Sequence, residues 1–305
     1  GWVAGAYVYT SYDSDFDGVD DTTSEDTTDS DGRFLLDGLP TGQEYVVNVV
    51  KGSFEATFTV MLTTGTYELP EDECMLEAPN IAVVMGDYDR IEDIIGNMGL
   101  DYTTYNGRWG ETEYLDLLKD PTAMAEYDII FFNCGITETW TDSDIDQEIV
   151  RENIRSFVNN GGSIYVSDWA YLFLELPFPD KIAFYGEASS LPGAPRLGKS
   201  DTVEGAVIDL TMQAIVGSGV ADINFEVDMW VVVESIADGV SPLIEATVQA
   251  SNLLGSFETL ADVPIAARFE VGTAGGRAIF TSFHNENEAT TLDMTDILEE
   301  IILSL

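Results

Sequence analysis

Residues 54–62 set the clearest period in the chain: Phe54, Ala56, Phe58, Val60 and Leu62 alternate with mostly polar neighbours. That alternation predicts a strand with one buried and one wet face. Shorter β-type runs over 4–10, 34–36 and 45–50 precede it. Turn residues at Asp31-Gly32, Asp37-Gly38, Pro40-Thr41-Gly42 and Lys51-Gly52 punctuate them. The pattern predicts a small all-β sandwich over 1–70. A linker follows over 71–80, where Pro70, Pro79 and the acidic run between them break both periods.

From Ile81 the period changes. The runs at 81–85, 102–105, 127–133 and 163–167 read as strands, that at 127–133 strongly apolar. Between them lie helical patterns at 89–98, with Ile91, Ile94 and Ile95 on one face, at 111–119, ending before Pro121, and at 144–158. In the last of these Ile145, Ile149, Ile154, Phe157 and Val158 form a stripe. Repeated β–α units predict a doubly wound, mostly parallel sheet over 81–305. The stretch of about 176–262 is less regular, rich in proline and in β-type runs such as 224–233. It reads as a β-rich insertion carrying extra strands, a lid or a partner surface. Two strands, 264–271 and 277–283, then flank Gly275-Gly276. A closing helix over 290–305 turns Leu292, Ile297, Leu298, Ile301 and Ile302 inward, with 290–293 as its cap. Gly161-Gly162 break one helix just before the strand at 163–167, which ends in Ser167-Asp168-Trp169-Ala170. Functional crevices of such sheets lie at the carboxyl ends of the strands, and Asp168 sits at one.

The 305 residues carry 56 acids against 12 bases, a formal charge of −44, with 45% apolar residues. The apolar share is enough for a sizeable core. The charge excludes nucleic acid and anionic membrane surfaces as partners. It favours cations, basic proteins and neutral glycans, and it suits salty or calcium-rich surroundings. No apolar run is long enough to span a bilayer. The chain begins in mid-pattern at Gly1-Trp2-Val3, which leaves room for a removed leader. Cys74 and Cys134 make neither a disulfide framework nor a zinc cluster; one bridge or two free thiols are both open.

Within the β region, Asp13-Ser14-Asp15-Phe16-Asp17-Gly18-Val19-Asp20-Asp21 places alternate carboxylates about one centre. Gly18 permits the turn, Val19 offers a carbonyl, and Asp21 closes the shell. Calcium takes six to eight oxygens in irregular geometry, so Asp13, Asp15, Asp17, Val19 and Asp21 are a candidate Ca2+ site. The spacing is similar to thrombospondin-type and EF-type loops, but Ser24 stands at the last EF position and Glu25 comes one residue late. The alternative is a solvated acidic hairpin loop.

Two resemblances extend this. Val3-Ala4-Gly5-Ala6-Tyr7-Val8, Thr28-Asp29-Ser30-Asp31-Gly32-Arg33-Phe34 and Leu39-Pro40-Thr41-Gly42 before Tyr45 resemble carboxypeptidase regulatory-like, transthyretin-type β-sandwich modules of secreted proteins. A strand usual before the Gly-Ala segment is missing; either it is cleaved away or another copy of the chain fills the gap, which leaves a polymer built by strand addition open. Ala278-Ile279-Phe280-Thr281-Ser282-Phe283-His284-Asn285-Glu286 resembles the strand end of class I glutamine amidotransferases, which implies a flavodoxin-like fold over 81–305. His284 and Glu286 match the family His and Glu. Asp168 stands where the family has its nucleophilic cysteine, and Ala170 where it has a small glycine. A carboxylate is a poor nucleophile toward amides, and Cys134 ends a different strand. The site therefore reads as a relic in which Asp168 and Glu286 hold His284. Another hydrolysis by Asp168, His284 and Glu286, or a metal site of Asp168, His284, Glu286 and Glu288, are the alternatives. Trp140, Trp169, Tyr171, Phe173 and Trp230 line either a glycan cleft or the core.

The expectation is a non-catalytic, secreted or cell-surface calcium-binding protein with a binding, adhesive or assembly role. Its rival is an extracellular hydrolase using Asp168 and His284.

Overall fold

Alternation builds the first sheet. In the computed structural model, which describes residues 5–14, 18–29, 32–63, 78–137, 143–184, 195–252, 256–285 and 290–305, the chain divides into two compact units, Gly1–Pro79 and Asn80–Leu303. The first unit contains β1 (Tyr7–Tyr12), β2 (Thr22–Thr27), β3 (Gln43–Lys51) and β4 (Phe54–Leu62). They form one antiparallel sheet in the order β2-β1-β3-β4. Val8, Tyr12, Tyr45, Val47, Val49, Ala56, Val60 and Leu62 make its buried face.

Two local expectations fail in this unit. The run 34–36 is not a strand; Phe34, Leu36 and Leu39 instead lie across the buried face as irregular chain. Pairing falls to β2, whose Thr and acidic residues bury only Ser24. The second layer expected of a sandwich is not among the described residues.

The second unit contains β5 (Ile81–Met85), α1 (Ile91–Asn97), β6 (Tyr102–Asn106), α2 (Tyr114–Leu118), α3 (Pro121–Met124), β7 (Ile129–Phe132), α4 (Asp144–Asn159), β8 (Ser163–Ser167), α5 (Leu172–Glu175), β9 (Ile182–Ala183), β10 (Arg196–Gly198), β11 (Asp201–Val207), α6 (Leu210–Val216), β12 (Val220–Phe225), β13 (Trp230–Val232), β14 (Ser235–Ile236), β15 (Val240–Ser251), β16 (Phe257–Val271), β17 (Gly276–Thr281) and α7 (Leu292–Ser304). Its large sheet has the order β12-β11-β15-β16-β17-β8-β7-β5-β6, with β10 and β13 branching from β15. The strands from β17 to β6 are parallel; those from β12 to β16 add antiparallel to β17. Taken in chain order, the parallel strands run 2-1-3-4-5, an order compatible with a flavodoxin-like α/β domain.

Both faces of β5, β7 and β8 are covered, which is why they read as continuous apolar runs, whereas the edge strand β6 is largely exposed. Ala82, Val84, Ile130, Phe132, Ile164 and Val166 join Leu117, Ile154 and Val158 in one core. The alternate residues Val83, Phe131 and Tyr165 are equally buried on the opposite face. Helices depart from expectation at their ends. Pro121 does not merely stop α2; it opens α3 at the first helical position, with Asp120 accepting from the N–H groups of Thr122 and Ala123. Ile145, Ile149 and Leu292 keep the helical period yet are exposed; in α4 the buried face begins at Val150 and continues through Ile154 and Val158. Thr291 caps α7 by accepting from Met294 N–H. The insertion extends the same sheet, chiefly through the long β15–β16 hairpin. The run 224–233 splits into the end of β12 and β13 around Met229, whose φ is +80°. Among the described residues no helix is long and apolar enough to cross a membrane.

Candidate functional site

Adjacent parallel strands deliver their carboxyl ends to one rim. Asp89 follows β5, Cys134 follows β7, Asp168 follows β8 and His284 follows β17. The turns are locked to each other. Asp87 N–H donates to the Gly135 carbonyl (3.3 Å), and Tyr88 and Asp89 N–H both donate to the Cys134 carbonyl (3.2 and 3.3 Å). Gly86 allows this approach: a Cβ there would lie 2.0 Å from the Cys134 carbonyl oxygen.

Asp168 is the centre of the rim. It opens a single 3₁₀ turn (Asp168–Ala170) straight out of β8 and holds φ at +42°. A left-handed non-glycine residue at a strand-to-helix turn is the strained geometry in which nucleophile elbows present a side chain. Here it presents a carboxylate. Oδ1 accepts from the Val231 N–H at 2.6 Å. Oδ2 accepts from the Cys134 thiol at 3.4 Å and lies 3.8 Å from His284 Nδ1. One ligand-type atom each from Cys134, Asp168 and His284 all fall within 4.8 Å of one another. The three residues are 2%, 3% and 6% exposed, so the cluster is closed from bulk water.

A second layer of polar groups supports it. Ser167 Oγ accepts from Cys134 N–H at 2.9 Å and donates to Asp89. The other Asp89 oxygen accepts from Asn285 N–H at 3.2 Å. Asn133 donates to Glu92 at 2.8 Å. Burial pushes the Asp89 carboxyl up, opposed by the nearby His284 charge and the Ser167 hydrogen bond. Burial also raises Glu92. Burial, then the Asp168 charge, push the Cys134 thiol well above its ordinary value.

The expectation that no sulfur reaches this rim is overturned. Cys134 does end a different strand from Asp168, but β7 and β8 are neighbours, with Phe132 opposite Val166, so the two strand ends meet. Cys134 is a free thiol; Cys74 lies outside the described residues. Asp89 and Ser167 also belong to the site. The signal for Cys134 is its place at a strand end before Gly135, but only the strand order makes it a neighbour. Glu286 and Glu288 lie outside the described residues.

The insertion covers the rim. Val231 of β13 caps Asp168, and Trp169 donates its indole N–H to the Met229 carbonyl at 2.8 Å. Tyr171, Phe173 and Trp230 are buried and belong to the core, not to a glycan cleft; Trp230 stacks on Phe225 with centroids 3.9 Å apart. Trp140 lies outside the described residues. An open cleft of about 530 Å³ is lined instead by residues such as Glu92, Asn97, Tyr102, Asn285 and Thr295, and by none of the three clustered side chains.

In the acidic hairpin loop, Asp15 and Asp17 lie outside the described residues. Ser14 donates through its N–H and hydroxyl to the two Asp21 oxygens at 2.9 and 3.0 Å, which draws the loop ends together. These bonds from Ser14, then one from Thr22, hold the Asp21 carboxyl below its usual range. Gly18, at φ +95°, donates its N–H to Asp13, and Val19 is exposed.

No protein-family model matches the chain, and no curated protein sequence does. Among solved structures, one described as "Structure of PurLQS from Thermotoga maritima" is similar at 12% identity and a TM-score of 0.42, over 74% of this chain and 98% of that one. A likeness that slight assigns no activity.

Proposed function

We propose that this chain is a non-catalytic binding protein of the secreted or cell-surface class. In this reading an amidotransferase-like, flavodoxin-like unit serves as scaffold, and the first unit is a regulatory-like β module that binds calcium. The observation that carries the non-catalytic part is the state of Asp168. It occupies the strained turn where amide transfer needs an activated thiolate, and both its oxygens are engaged inside the protein, one by the covering β13. The available thiol, Cys134, sits one strand away. It is buried and donates to a carboxylate, which favours the protonated form that does not attack.

The calcium assignment rests on the carboxylate spacing and on the hydrogen bonds from Ser14 to Asp21 and from Gly18 to Asp13, and the cellular assignment on the charge of −44. Such a chain would meet other copies of itself, surface proteins or glycans through calcium rather than through basic side chains.

The rival hydrolase is favoured by one observation, the 3.8 Å approach of His284 to Asp168. Incubation of the full chain with glutamine and with amide and ester substrates decides between them. No turnover is the expected result. Turnover abolished by Asp168→Asn or His284→Gln would establish the hydrolase instead. Calorimetric titration should show one calcium site, lost in Asp13→Asn/Asp21→Asn; no uptake at millimolar calcium would sink that assignment.

A further inference from the structure

We infer that Cys134, Asp168 and His284 bind one divalent transition-metal ion, with zinc the best match, at the rim of the parallel strands. The donors come from three neighbouring strand ends and converge with all three side chains buried. Zinc binds sulfur at about 2.3 Å and imidazole nitrogen or carboxylate oxygen at about 2.0–2.1 Å. A tetrahedral ion therefore spaces its sulfur and oxygen ligands by about 3.5 Å, and its nitrogen and oxygen by about 3.3 Å. Two observed separations are 3.4 Å and 3.8 Å and the sulfur and the imidazole lie within 4.8 Å, so the imidazole must move inward, toward both the carboxylate and the thiol, to complete the site.

The surrounding bonds hold the ligands in place for this. Val231 anchors Asp168 through Oδ1 and leaves Oδ2 turned toward the thiol and imidazole. Ser167 and the turn after β5 fix the Cys134 backbone from both sides. Outer partners that orient ligands in this way are part of metal sites.

The donor set selects the ion. A thiolate disfavours calcium and magnesium, whereas thiolate, imidazole and carboxylate together suit zinc or cobalt. On binding, the Cys134 S–H bond breaks, the metal–sulfur bond forms and the proton leaves to solvent. Three protein ligands leave the fourth position to water. The site shares no residue with the acidic hairpin loop and does not depend on the protein lacking turnover.

Cobalt titration of the chelator-treated full chain tests it. One equivalent should bring up a thiolate-to-cobalt charge-transfer band in the near ultraviolet and the visible bands of a tetrahedral ion, and one equivalent of zinc should displace both. The charge-transfer band should vanish in Cys134→Ser, and His284→Gln should weaken cobalt binding at least ~10-fold, the loss typical of removing even an outer partner. The chain has one other cysteine, so persistence of the band in Cys74→Ser assigns the sulfur to Cys134 even if Cys134→Ser fails to fold. No band in the unaltered chain, a band surviving Cys134→Ser, or a band lost in Cys74→Ser would each overturn the inference. Calcium uptake and substrate turnover are read by different signals, so those proposals stand or fall separately.

Discussion

Asp168 holds a backbone conformation that costs a non-glycine residue about 1–2 kcal/mol. Its neighbours compensate, since its carboxylate is the partner of the buried Val231 N–H. Asp168→Ala keeps the strain and strands that amide, for which about 1–3 kcal/mol is usual. The expected loss is therefore about 1–3 kcal/mol in urea unfolding. Asp168→Asn should recover most of it, because Asn tolerates the left-handed region and keeps an acceptor. Equal losses in the two variants would count against this account. Glu92 gives a pH signature. Burial raises its carboxyl, so the folded chain holds that proton more tightly than the unfolded chain does. The stability it contributes is complete below the ordinary carboxyl range, near pH ~4, and is lost as pH rises through the raised folded value. Glu92→Gln should therefore show a shallower fall in melting temperature between pH 4 and 8 than the unaltered chain. Parallel curves would place the titration elsewhere.

At the scale of elements, the rim depends on how closely two turns approach. Gly86→Ala would drive a Cβ into the Cys134 carbonyl, a backbone atom that cannot swing aside. Overpacking of that kind costs about 1–3 kcal/mol or more. Gly99→Ala meets no neighbour and carries only the strain of φ +77°, about 1–2 kcal/mol. Gly86→Ala should thus lower the urea midpoint more than Gly99→Ala does, and the reverse order would show that the turns can separate. What could be read in advance follows the same local physics. The parallel strands announce themselves because Ile81–Met85 and Ile129–Phe132 are covered on both faces and are apolar at nearly every position. Strand β2 is silent, since a Thr and acid run with one buried residue looks like loop. The run 224–233 misleads because apolar side chains continue across a turn. Asp168 and His284 are legible as strand-end residues. Their meeting with Cys134 is not, because which strands lie side by side is a tertiary fact that no local period encodes.

For the whole molecule the dominant quantity is charge. With 56 acids against 12 bases, self-repulsion acts on the folded state and is screened over about 8–10 Å at moderate ionic strength. The melting temperature should rise as sodium chloride is added from low salt, and again with calcium at fixed ionic strength if the loop binds it. A melting temperature indifferent to sodium chloride would mean that the repulsion is already compensated.

The position of β17 has a consequence for how the protein is made. It lies between β16 and β8, in the interior of the large sheet, yet among the described residues it is the last strand in sequence order. A ribosome releases β8 well before its partner exists, so the nascent chain carries an open, wholly buried-type edge while residues 168–275 are made. Such edges recruit wrong partners. Chains stopped before Gly276 should accumulate as insoluble material or stay bound to chaperones, whereas soluble, monomeric truncations would show that β16 closes directly onto β8.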